Sequence, residues 1–284
     1  MGLDAQLGKN NDPQYQQGRL CLPAHDARGI ESKVRSVEIR PQQLEAAARI
    51  QRGLKCSPAF SRILAANGQV AGKDLTEYLS PDFARELPQL DQLKGLGEVV
   101  TTIKSTIESG RSIAICCDYD LDGLSAGAQL YLFLKAIGVN VKVYVPDPLG
   151  DGYGLTTEMV DTIRAELPNC GAMVTLDFGT KNGAEILYAR SFGIESAVID
   201  HHVSGEERPP TDAFINPKQT GCGYAGQVPC SALLVHLVIM KLKQELLQAQ
   251  SYDLHRDLDL VTLGTIADLV PLTGINRAVV RDGL

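Results

Sequence analysis

Val198-Ile199-Asp200-His201-His202 is an apolar run that stops on a carboxylate and two imidazoles. A buried strand ending this way carries metal- and phosphate-binding groups to the carboxyl edge of an α/β sheet, where the ligands of such folds sit. Two other runs end on acid and then glycine. Ile113-Ala114-Ile115-Cys116-Cys117 leads into Asp118-Tyr119-Asp120-Leu121-Asp122-Gly123, and Ala172-Met173-Val174-Thr175-Leu176 leads into Asp177-Phe178-Gly179. Three parallel strands would therefore bring their acids to one rim of one sheet.

Strands near 112–117, 141–145, 172–176 and 195–199 alternate with helices near 124–137, 156–167 and 182–191. This predicts an α/β fold with a doubly wound, mainly parallel sheet joined by right-handed crossovers. Upstream, Leu44, Ala47, Ala48 and Leu54, then Phe60, Ile63 and Leu64, recur at helical spacing, and a further helix over 96–108 ends at Gly110. Downstream, two helices are expected over about 229–249 and 253–267. The resulting division is a poorly ordered tail over 1–40, a helical N-terminal region over 41–110, a catalytic domain over 111–272, and the start of a connecting helix over 273–284. That last helix has nothing left to pack against in this reading.

Composition narrows the class. The 284 residues are 44% hydrophobic, an ordinary globular content. The stretch from Ala232 to Met240 is too short for a bilayer and is broken by His236. No signal peptide is visible, and Gln6 stands where N-myristoylation wants Ser or Thr. Seven cysteines without a Cys-x-x-Cys pair suit reduced thiols, so a cytoplasmic protein without membrane association is expected. A net charge of −7 points away from a broad basic face for nucleic acid, so a polyanionic substrate would be held locally, by cations and a few basic side chains.

Three acids within five residues at 118–122 repel one another unless a cation is present. The segment starts like a calcium loop, but Gln129 holds the twelfth position and a strand precedes it. Adjacent histidines at a strand end divide naturally between a metal and a phosphate oxygen. Asp268, in the apolar Leu263–Leu272 stretch, would be costly to bury unpaired, whereas His236 and His255 read as structural. Asp118, Asp120, Asp177 and Asp268 with neutral His201 bring four negative charges, which two divalent ions balance. Carboxylate and imidazole donors without thiolate suit Mn²⁺, or Mg²⁺, and such a pair hydrolyses phosphodiesters or phosphoanhydrides.

These motifs, with Asp151-Gly152-Tyr153-Gly154-Leu155 between them, occur in the order found in the DHH phosphoesterases. Leu263-Gly264-Thr265-Ile266-Ala267-Asp268-Leu269-Val270-Pro271-Leu272, followed by Asn276-Arg277, resembles the RecJ branch, and residues 57–110 are similar to the helical region ahead of its core. The resemblance implies a 5′ to 3′ exonuclease for single-stranded DNA, preferring Mn²⁺ or using Mg²⁺. It implies Asp118, Asp120, Asp177, His201 and Asp268 as ligands, with Asp177 bridging. His202 would meet the scissile phosphate, Asp200 would orient the histidines, Asp122 would tune the turn or stand behind the ligands, and Gly152, Tyr153 and Gly154 would line the substrate.

Three departures accompany it. Pro148 stands where an Arg is common, and Val228-Pro229-Cys230-Ser231-Ala232 replaces a glycine-rich helix start, which weakens an anion site there. The second α/β domain and OB-fold of the family are not found, so weak or partner-dependent activity is expected, with a protein partner supplying grip on the strand. Two alternatives stay open: a DHH phosphodiesterase for short oligonucleotides or cyclic dinucleotides, and a non-catalytic scaffold in a replication or repair complex.

Overall fold

A computed structural model describes residues 19–20, 37–38, 41–87, 90–147, 154–203, 208–224 and 228–284. The chain divides into two compact units, Met1–Ser80 and Pro81–Leu284. In the first, β1 (Arg19–Leu20) pairs antiparallel with β2 (Val37–Glu38), and α1 (Pro41–Leu54), α2 (Pro58–Ala66) and α3 (Lys73–Leu79) follow. Pro58 at the first turn of α2 and Ser57, whose Oγ accepts the Phe60 N–H at 3.2 Å, start that helix as its sequence requires. Ala47, Ile50, Leu64, Ala65 and Leu75 form a small core of their own.

The second unit runs α4 (Phe83–Glu86), α5 (Leu96–Glu108), β3 (Ser112–Cys117), α6 (Leu121–Ala136), β4 (Val141–Tyr144), α7 (Thr157–Glu166), β5 (Cys170–Leu176), α8 (Gly183–Arg190), β6 (Glu195–Ile199), β7 (Ala213–Ile215), α9 (Ser231–Glu245), α10 (Leu258–Ala267) and α11 (Gly274–Gly283). Its sheet has the order β4-β3-β5-β6-β7, all parallel. Side chains alternate between two buried faces. Ile113, Ile115, Val174, Leu176, Ala197 and Ile199 pack with α5, α6 and α9, whereas Ala114, Met173 and Val198 pack with α7 and α8. Burial on both faces is why these strands read as continuous apolar runs.

The structure departs from the sequence expectation in four places. The unit boundary lies at Ser80, not near residue 110, because Val99, Val100 and Ile103 of α5 join the core of the sheet. The short strand β7 is additional to the expected set, since three residues between Asp212 and Asn216 are too few to show a period. The helix expected over 229–249 ends at Glu245, and that over 253–267 is a 3₁₀ turn, Leu254–Asp257, leading into α10. Finally, α11 is packed: Ile275, Val279 and Val280 join the main core, and Arg281 donates to the Pro81 carbonyl at 2.8 Å. None of the six described cysteines is in a disulfide. Among the described residues no helix is long and apolar enough to cross a membrane.

Candidate metal centre

The strands end in register. Cys117 pairs with Leu176, Leu176 with Ile199, and Ile199 with Ile215. The next residues, Asp118, Asp177 and Asp200, therefore stand side by side, and each donates its N–H across the sheet, to Leu176, Ile199 and Ile215 at 3.1, 3.0 and 3.0 Å. Neighbouring strands are only about 4.8 Å apart, so pairing itself crowds these acids. The chain moves outward from β3 to β4 and then returns to β5 on the other side of β3. The acids thus lie at the switch point where α/β folds bind ligands.

Asp200 is the orienting group. One oxygen, Oδ1, accepts the backbone N–H of His201 and His202 at 2.7 and 3.0 Å and faces His202 Nδ1 at 2.8 Å; Oδ2 accepts Thr180 N–H and Oγ–H at 3.2 and 2.6 Å. Burial alone would raise its pKa, but these hydrogen bonds, His202's foremost, hold the carboxyl well below the usual range. In return, the hydrogen bond to Asp200 raises His202 to about 9, so its half-exposed ring is cationic at neutral pH. Asn216, the residue after β7, closes the turn by donating to the His202 carbonyl at 2.9 Å and to Thr180 Oγ1 at 3.3 Å.

Asp177 adopts φ 67°, a left-handed conformation that Asp tolerates better than most residues and that is held here against local preference. Two residues on, Gly179 at φ 118° passes so close to the sheet that a Cβ would lie 2.4 Å from Thr175 Oγ1 and 2.9 Å from Val198 Cγ1. Gly123 is equally obligatory, since a Cβ there would lie 2.7 Å from the backbone N and O of Asp118. The glycines after the acids let the following turns fold back onto the strand ends.

His201 is buried among carboxylates. Its Nε2 lies 3.2 Å from Asp177 Oδ1 and 3.7 Å from Asp122 Oδ2, and its Nδ1 lies 3.6 Å from Asp268 Oδ2. Burial opposes the imidazolium, but these acids outweigh it and raise the pKa of the ring. Burial likewise pushes Asp177 up to about 7, and raises Asp268. Neither nitrogen of His201 has a hydrogen bond of acceptable geometry. Two orphaned imidazole nitrogens facing three carboxylates are what a cation site provides.

Three groups bring ligand atoms within 4.8 Å of one another: Asp118, Asp120 and Asp177; Asp177, His201 and His202; and Asp122, His201 and Asp268. All the residues marked from sequence as ligands converge. Asp122, expected to tune the turn or stand behind the ligands, shares a group with His201 and Asp268. It is also anchored there, accepting Ser231 N–H and Ala232 N–H at 2.7 and 2.9 Å. The first N–H groups of α9 are therefore taken by a carboxylate of the chain itself, that of Asp122. Asp120 caps α6 through Gly123 N–H at 2.9 Å. Gly154 lies against Asn182, the N-cap of α8, while Gly152, Tyr153 and Pro148 lie outside the described residues. Thr180, Asn216 and Ser231 escaped the sequence reading, since single hydroxyl and amide residues in loops carry no pattern.

Residues 112–265 match the DHH family, N-terminal domain. The chain is 30% identical over 236 residues to the single-stranded-DNA-specific exonuclease RecJ of Salmonella typhimurium, covering 80% of this chain and 40% of that protein. To RecJ of Escherichia coli it is 28% identical, covering 87% and 43%. A crystal structure of RecJ from Thermus thermophilus with Mn²⁺ superposes with a TM-score of 0.66 at 28% identity, over 84% of this chain and 33% of that one. A manganese-bound exonuclease RecJ gives a TM-score of 0.60 at 33% identity, over 70% and 48%. The chain spans about 40% of the length of these two curated relatives.

Proposed function

Because this chain belongs to the DHH family, with a RecJ-like core, we propose that it is a two-metal phosphodiester hydrolase acting as a 5′ to 3′ exonuclease on single-stranded DNA. One observation carries the reading: two acid-rich groups, Asp118/Asp120/Asp177 and Asp122/His201/Asp268, adjoin each other through the Asp177–His201 contact of 3.2 Å. The first would hold one Mn²⁺ or Mg²⁺ and the second another, with Asp177 between them. When bound, the ions supply an activated water and charge neutralisation at the phosphoryl oxygens. The carboxylates would hold the cations at the rim, and the Asp200 turn keeps the imidazoles aimed. His202 has Nδ1 engaged with Asp200, which leaves Nε2 to donate to a phosphate oxygen as charge builds there.

The net charge of −7 favours a second reading, a phosphodiesterase for short oligonucleotides or cyclic dinucleotides. Labelled single-stranded DNA, dinucleotides and cyclic dinucleotides, each incubated with the protein in Mn²⁺, separate the two. The first reading expects mononucleotides from the 5′ end of DNA, and His202→Ala lowers that rate by about 10²–10³-fold, as loss of a charge-stabilising donor does. Turnover confined to the dinucleotides or cyclic dinucleotides selects the second. No turnover on any of them, with no metal retained, selects a scaffold whose grip belongs to a protein complex.

Metal uptake is expected to release protons. Asp177 titrates near 7 and His201 is raised, so below pH 7 a cation must displace protons to reach its ligands. Mn²⁺ affinity therefore rises as pH rises through about 7. Calorimetric titrations in buffers of different ionisation enthalpy measure this, and a heat independent of buffer at pH 6.5 would contradict it.

A further inference from the structure

Ser231, the first residue of α9, is fully buried and touches one carboxylate of each candidate ion group. Its Oγ–H donates to Asp177 Oδ1 at 2.9 Å, and its N–H donates to Asp122 Oδ2 at 2.7 Å. A buried serine in a helix ordinarily turns its hydroxyl back to a carbonyl of its own chain segment. This one points forward, into the acids. Its neighbours offer Asp177 no substitute donor: the thiol of Cys230 faces Thr265 Oγ1 at 3.5 Å, and Ala232 and Leu233 are apolar and fully buried.

From this geometry we infer that Ser231 is a positioning residue: it fixes the Asp177 carboxylate between the two ion groups and thereby sets the affinity and spacing of the paired cations. The inference rests on the two-metal reading above. A donor held on one lone pair of Oδ1 stops the carboxylate rotating and leaves the remaining lone pairs for the cations. The backbone of the same residue holds Asp122, so one short segment keeps both groups in register. Outer partners of this kind govern metal affinity by about 10–100-fold.

The test uses the whole chain loaded with Mn²⁺, read by calorimetry and by the exchange-coupled electron paramagnetic resonance signal of a manganese pair. Wild-type protein is expected to bind two ions and give that signal. Ser231→Ala is expected to bind at least one of them about 10–100-fold more weakly and to change the coupling, while staying folded in EDTA with a somewhat lower melting temperature, since the buried Asp177 oxygen loses its donor; Ser231→Thr, which keeps the hydroxyl, restores both readouts. If Ser231→Ala unfolds, the near-isosteric Ser231→Cys, a poor donor, takes its place with the same expected loss. Wild-type affinity and an unchanged pair signal in the folded variant overturn the role of Ser231 and leave the two-metal reading standing. Wild-type protein that binds fewer than two ions overturns the two-metal reading itself.

Discussion

Asp177→Asn binds no manganese pair and loses more activity than the roughly 10–100-fold that removal of an outer partner costs, yet its metal-free fold is at least as stable as wild type. Asn keeps the shape, tolerates the left-handed backbone at φ 67° and accepts the Ser231 hydrogen bond through its amide oxygen. What it lacks is the charge. The wild-type carboxyl is raised from 3.8 to about 7 in the fold, chiefly by burial, so the unfolded chain releases this proton first. The resulting penalty on the metal-free fold is absent below 3.8, grows as pH rises and is complete above about 7. Melting in EDTA should thus show little difference at pH 4 and an advantage for the variant at pH 8. Mn²⁺ narrows the gap: at an ion concentration 100 times Kd each bound ion stabilises the wild type by about 2.7 kcal/mol, and the variant gains little. A variant that still binds two ions with wild-type affinity removes Asp177 from the centre. Asp177→Ala loses the ions equally but adds strain, since Ala has no side-chain compensation in that conformation.

Gly179→Ala is the substitution expected to damage the fold most for its size. It places a methyl in a backbone conformation closed to L residues and against Thr175 and Val198, both fully buried in β5 and β6. Backbone strain of about 1–3 kcal/mol and overpacking of about 1–3 kcal/mol act together, giving a loss of about 3–5 kcal/mol. Chemical denaturation without metal measures it, and a loss below about 1 kcal/mol means the turn can move away from the sheet. Metal binding should weaken as well, because Gly179 lies between Asp177 and Thr180, which holds Asp200.

Much of the centre was legible because it is built at strand ends. A fully buried parallel strand is a short apolar run, so its last residue is visible and the acid after it is placed by pairing alone. Asp118, Asp177 and Asp200 owe their adjacency to register, and Asp-His-His and Asp-x-Gly were readable for that reason. The place of Asp122 is set by two helices and is not visible in any local pattern. The residue lies in the first turn of α6, where Asp120 fixes the start, and it accepts the buried first N–H groups of α9, more than one hundred residues away in sequence. Ser231 and Thr180 were invisible for the same reason: a hydroxyl acquires a role only from what folding sets opposite it.

The α/β class, the strands β3 to β6, the acids and imidazoles that follow three of them, and the family resemblance are all readable along the chain. Each of these is a local matter of period, burial and residue chemistry. The β4-β3-β5-β6-β7 order, the joining of α5 and α11 to the main core, and the seating of Asp122 between α9 and His201 emerge only on folding. These depend on contacts between distant segments, where apolar area and unsatisfied N–H groups select partners that no local pattern names.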